Sequence, residues 1–125
     1  MNKTAVIILA DPKSGTDEAL GRLFNGLVTA YDAKQRGEEV TILFQGAGTR
    51  WAGLIADKAH PANALYESVK DKIAGVSCGC ADVFGASQSA QDNGFTLMKE
   101  SMIPGTAGVS SIASRLADGY RVVTF

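Results

Sequence analysis

Two cysteines separated by one glycine, Cys78-Gly79-Cys80, are the residues of this chain best suited to covalent chemistry. They lie in the run Ser77-Cys78-Gly79-Cys80-Ala81-Asp82-Val83-Phe84-Gly85, just after a short apolar stretch and at the start of a helical one. Free backbone N–H groups and the helix dipole at such a place favour thiolate over thiol. A thiolate is the nucleophile of disulfide exchange and of sulfur transfer, and a second thiol nearby can resolve the intermediate. The competing reading makes both cysteines small apolar core residues, a common fate of free cysteine. A dithiol switch is a third reading, but a Cys78–Cys80 disulfide closes a small, strained ring.

Other groups are candidates to assist. Arg50 and Trp51 follow Gly46-Ala47-Gly48 and, with Lys99, are candidate lining for a cleft beside the cysteines. Arg50 and Lys99 are also the candidate electrostatic helpers of a thiolate. Tryptophan is at home in a core as well, which is the alternative for Trp51. Lys13-Ser14-Gly15-Thr16 opens a helix, where phosphates are often held. It lacks the spaced glycines and lysine of a P-loop, and Asp17 and Glu18 crowd the turn with negative charge, so it reads as a capped helix start. His60, before Pro61, joins the two cysteines as a third candidate ligand, where a zinc site normally needs four. It reads as a surface or capping histidine, and neither metal nor cofactor is expected. No serine-hydrolase or zinc-protease signature occurs.

These groups need a scaffold, and hydrophobic periodicity supplies one. Residues 4–10 form an apolar, branched run closed by Asp11-Pro12, the habit of a strand buried on both faces. Thr16 is a helix N-cap, and Leu20, Leu23, Phe24, Leu27 and Tyr31 mark one face of a long helix that stops at Gly37. Residues 40–45 read as a second strand. A helix over 50–58 follows, with Trp51, Leu54 and Ile55 inward, then another carrying Ala62, Leu65, Tyr66, Val69 and Ile73. Residues 75–78 are a third strand, and a helix from Cys80 or Ala81 runs to about Asp92. Residues 95–98 are a fourth strand, 99–108 a loop, Val109 to Leu116 a helix, and 120–125 the last strand. Strict alternation predicts one α/β domain over 1–125 with a mainly parallel sheet and right-handed crossovers. Chemistry in such a sheet sits beyond the carboxyl ends of the strands.

Composition narrows the classes. The 125 residues are 46% hydrophobic and 20% charged, with 12 basic and 13 acidic side chains and a net charge of -1. That is a globular profile without the basic patches that bind nucleic acid or membrane surfaces. The apolar run Ala5 to Ala10 is too short for a membrane span, which needs about 20 residues, or for the ~7–15-residue core of a signal peptide. Two cysteines build no disulfide framework, so a cytoplasmic protein is expected.

The first strand, the helix ending in Gly37, Glu39-Val40-Thr41-Ile42-Leu43-Phe44 with Gly46, the turn Cys78 to Gly85, and Gly119 to Phe125 resemble a DsrE-like protein over nearly the whole chain. The resemblance implies a three-layer α/β/α sandwich with a five-stranded parallel sheet. It also implies homo- or hetero-oligomers, commonly trimers or hexamers. Some members, the Tus sulfur-relay subunits among them, carry sulfur as a persulfide on the cysteine of that turn; others have no established activity. The family's cysteine maps onto Cys78 or Cys80. Cys80 lies nearer the helix start and Cys78 nearer the strand end, and Cys-Gly-Cys departs from the single cysteine or wider pair of many relatives. The implied function is a sulfur carrier or sulfurtransferase that takes sulfane sulfur from a protein donor and passes it to a partner thiol. The competing function is a non-catalytic oligomeric module that binds a small ligand or nucleotide. A homo-oligomer, trimer or hexamer, is expected on a second ground. The last strand stops at Phe125 with no tail to cover an edge, and Phe95 to Met98, Met102-Ile103-Pro104 and Trp51 are candidate exposed apolar groups.

Overall fold

The computed structural model describes residues 1–125. Five strands form one sheet: β1 (Lys3–Ile8), β2 (Glu39–Phe44), β3 (Ile73–Ser77), β4 (Leu97–Met98) and β5 (Arg121–Thr124). Their order is β4-β3-β2-β1-β5, and every neighbouring pair is parallel. The helices are α1 (Asp17–Gln35), α2 (Asn63–Val69), α3 (Cys78–Val83), α4 (Ser87–Asp92) and α5 (Ile112–Ala117). They flank the sheet to give a three-layer α/β/α sandwich. No helix is long and apolar enough to cross a membrane.

Strand order dictates the layers. From β1 to β4 the chain steps outward in one direction, and right-handed crossovers then lay every connecting helix on the same face. The return from β4 to β5 runs the other way and puts α5 on the opposite face. The side chains alternate accordingly. Val6, Ile8, Ile42, Phe44 and Val76 join a core of 21 buried residues with α1 to α4, whereas Ala5, Ile7 and Leu43 form a cluster of three under α5.

α1 begins and ends where its local signals place it. Thr16 Oγ1 accepts from the Ala19 N–H at 3.1 Å, and Gly37 at φ 72° turns the chain out. Its buried face is rotated from the expected one. Ala19, Leu23, Gly26, Leu27, Ala30 and Ala33 point inward, while Phe24 and Tyr31 are exposed. The small residues let the helix lie close to the sheet: a Cβ on Gly26 would collide with the Ile8 side chain. Large rings have no room there and move to the flank.

Several expected boundaries shift for similar reasons. Residues Gly46–Gly53 form a 3₁₀ helix, and the expected helix over 50–58 gives way to turns beyond it. Gly48 is pressed onto the Ile8 carbonyl, where any Cβ would clash, and Leu54 is exposed while Trp51 and Ile55 point inward. Ile73 opens β3 instead of closing α2. One helix expected to run to Asp92 is two, divided at Gly85 with φ 71°. Phe95 belongs to the core rather than to β4 or an exposed end: it stacks on Tyr66 at 5.8 Å and meets Phe44 edge-on at 6.0 Å.

Candidate functional site

The carboxyl ends of β2 and β3 are tied to the segment before α5 by buried polar groups. Ser77 Oγ accepts from the Ser110 N–H at 3.3 Å, and Ser110 Oγ donates to Gln45 Oε1 at 2.8 Å. Both serines are buried and satisfied, so they fix the place where β3 turns into α3. α3 begins two or three residues before the expected start, with Cys78 as its first residue.

The two thiols occupy different surroundings. Cys78 is 4% exposed, and its Sγ donates to Asp82 Oδ2 at 3.9 Å. The other Asp82 oxygen accepts from Ser87 Oγ at 2.5 Å, which holds the carboxylate in place. A thiolate at Cys78 would lose its donor bond and face that carboxylate. Cys80 is half-buried and its thiol is free. Residues two apart on a helix project about 200° from one another, so the two sulfurs point to different sides of α3 and neither serves the other as a resolving thiol.

Gly79 has a packing role. Its N–H donates to the Gly108 carbonyl at 2.7 Å, and a Cβ there would press on Val109, Gly108 and Thr106. The loop after β4 therefore rests directly on the residue between the cysteines. One of the N–H groups expected to face a thiolate is engaged by a carbonyl instead. The loop itself is stapled by reciprocal Ser101–Val109 backbone bonds at 2.9 Å. Glu100 anchors it to α5, accepting from the Ser111 N–H at 2.9 Å and from Arg115 at 2.7 Å. Burial raises the Glu100 carboxyl, but those two partners outweigh it and leave it below its ordinary value.

Arg50 is held on three sides. Nη1 donates to both carboxylate oxygens of Asp11 at 3.0 Å, Nε donates to the Phe84 carbonyl at 3.0 Å, and the guanidinium lies 5.3 Å from the Phe84 ring centre. The Lys13 backbone N–H and then Arg50 hold the Asp11 carboxyl below its usual range. These contacts join the segments that follow β1, β2 and α3. Between them lies a cleft of about 360 Å³, lined by Pro12, Lys13, Arg50, Leu54, Phe84 and Ser89, with Gly53, Gly85 and Ala86 leaving the room. A second hollow of about 380 Å³ separates α3 at Gly79, Asp82 and Val83 from Gly105, Thr106 and Ala107.

The other candidate residues fall outside the first cleft. Trp51 is 3% exposed, its Nε1 donates to the Ala10 carbonyl at 2.8 Å, and its ring meets His60 edge-on at 6.0 Å. It supports the cleft from within the core and does not line it. His60 Nδ1 accepts from the Ala62 N–H at 3.1 Å within the turn before α2, and burial lowers its imidazole pKa. Lys99 is exposed beside Gly108 and lines neither hollow. Arg50 bonds to Asp11 and Phe84 and Cys78 to Asp82, so neither cation is hydrogen-bonded to a sulfur. Sequence reasoning missed Asp11, Phe84 and Asp82. The signal for Asp11 was its place immediately beyond β1; Asp82 lay four residues after Cys78, one helical turn away.

Fold and site together define a parallel α/β sandwich with one buried and one half-buried thiol on the crossover after β3 and a cation-lined cleft at the strand ends. An uncharacterized protein of Methanocaldococcus jannaschii is 28% identical over 102 residues, which cover 81% of this chain and 78% of the relative. No protein-family model matches the chain, and no solved structure does.

Proposed function

We propose that the protein is a DsrE-like sulfur carrier that uses Cys80. The observation that carries this reading is the contrast between the thiols: Cys80 is half-buried with a free thiol, while Cys78 is closed in against Asp82. Both lie where a parallel sheet presents its chemistry. The Cys80 thiolate attacks the terminal sulfur of a donor persulfide, forming an S–S bond as the donor leaves as a thiolate. An acceptor thiolate then attacks the outer sulfur of the Cys80 persulfide and releases Cys80 as a thiolate. No net oxidant or cofactor is consumed. In this reading the donor or acceptor is a protein, and the carrier is a cytoplasmic homo-oligomer, a trimer or hexamer. The exposed Met102 and Ile103 support an interface; Trp51 contributes nothing to it.

Incubation with a small persulfide donor, followed by mass spectrometry of the intact chain, tests the carrier. The expected product is one added sulfur atom, retained in Cys78→Ser and lost in Cys80→Ser. No adduct in the wild type, or an adduct that survives Cys80→Ser, overturns it. A second reading, a non-catalytic module for a small ligand or nucleotide, is favoured by one fact: the cleft at the strand ends is lined by neither cysteine.

A further inference from the structure

The strand-end cleft has a charge pattern that its own contacts use up only in part. Lys13 is exposed on the turn after β1, and its ammonium has no carboxylate partner. Its backbone N–H bonds to Asp11, and its ammonium acts on that carboxylate through space without bonding to it. Arg50 spends Nη1 on Asp11 and Nε on Phe84, leaving the Nη2 edge of the guanidinium without a partner. No acidic residue lines the cleft. The carboxylate that reaches Arg50, that of Asp11, is consumed in holding it still. The lining therefore holds two cations and no carboxylate, in a chain whose net charge is -1.

The remaining walls are apolar. The Phe84 ring forms one side beneath the guanidinium, and Pro12 and the 42%-exposed Leu54 form others. Ser89 Oγ donates its single proton to the Ala86 carbonyl at 3.2 Å, which leaves the donors of the cleft to Lys13 and Arg50. The cleft's volume sits at the low end of ligand cavities, ~300–1,000 Å³, which suits a single ring or short chain better than a nucleotide. Arg50 is already locked on three sides, so binding orders little that is not ordered beforehand. An arginine edge beside a lysine is a fork for a planar or tetrahedral oxyanion.

We propose that this cleft binds a small organic oxyanion: one carboxylate or phosphate, held by Lys13 and Arg50, on a short apolar body packed against Phe84 and Leu54. The site does not depend on sulfur chemistry at Cys80, and binding to Cys80→Ser separates the two. The test is amide NMR titration of the full chain, wild type and Cys80→Ser, with benzoate and with phenyl phosphate. Acetate and inorganic phosphate are the counterparts without an apolar body. Saturable shifts are expected at residues 12–13, 50–54 and 84–89 in both proteins. Saturation by benzoate alone assigns a carboxylate, and by phenyl phosphate alone a phosphate. Lys13→Ala, a change at an exposed side chain, is expected to weaken binding roughly tenfold. Three results overturn the proposal: no saturable shift at these residues, no effect of Lys13→Ala, or inorganic phosphate and acetate binding as tightly as their aromatic counterparts.

Discussion

The two faces of the sheet carry similar side chains and meet different fates. Ile8 and Phe44 lie under α1 and the 3₁₀ segment in a core of 21 buried residues. Ile7 and Leu43, their chain neighbours, are equally inaccessible, yet they share a buried cluster only with Ala5. What surrounds that cluster is partly open: Ala74, Met98, Ile112, Tyr120 and Val122. The strands do not cause this difference, because alternation gives each face a comparable row of apolar residues. Topology causes it. Three successive crossovers deliver helices to one side, and the single return deposits only α5, six residues long, on the other. How deep a core surrounds a strand residue is thus decided by where its distant neighbours are sent.

Paired substitutions on one strand test this contrast most strongly. Phe44→Ala removes a ring packed edge-on against Phe95 and should destabilise by about 3–5 kcal/mol. Leu43→Ala, on the thin face, should fall nearer the low end of the leucine range, about 2–3 kcal/mol, because its half-open surroundings can close in. Urea unfolding of both variants provides the comparison, and equal losses would erase the distinction between the faces.

A smaller effect concerns what keeps α5 on the thin face. Glu100, whose carboxyl is held below its ordinary 4.5 by Ser111 and Arg115 against the effect of burial, joins the loop to that helix. A lowered carboxyl stabilises the fold above its unfolded value and loses that contribution as pH falls through the folded one. The urea midpoint of the wild type should therefore decline as the pH is taken below about 4.5, with part of that slope missing in Glu100→Gln. An unchanged slope would remove Glu100 from the account.

The smallest effect is expected at Leu116, which is 58% exposed on α5. Leu116→Ser should alter the stability of a single chain by no more than ~0.5 kcal/mol. A larger loss that grows with protein concentration would show that a second copy covers the thin face.

The sequence made some of this legible and concealed the rest for identifiable reasons. Cap signals act within one turn, so Thr16 and Gly37 located α1 correctly. The face α1 buries depends on the approach of Gly26 to Ile8, a contact between separate elements, and the spacing of Phe24 and Tyr31 pointed the wrong way. The parallel sheet followed from alternation and handedness, and the three layers from the resemblance, while the strand order was not read. Within the site, the cysteine turn and Arg50 could be placed at the strand ends because both follow apolar runs. Their partners could not. Asp11 and Phe84 reach Arg50 from two other segments, and Gly79 proved to be the seat of a loop that arrives some thirty residues later.

The pairing of β1 with β5 brings Thr4 beside Arg121 and Ile7 beside Thr124, almost the full length of the chain apart. During synthesis β1, α1 and β2 can associate early, but β1 keeps an open edge until the last strand emerges. Its flank is then an unpaired row of amides beside buried, branched side chains, a template for another nascent chain. Assembly must also wait for a contact of the greatest sequence separation, the kind that slows folding. The step that completes the sheet is thus the step that ends its exposure to misassembly, and it is taken by the four residues of β5 with Phe125, which bonds to Ile7, Leu9 and Ala10.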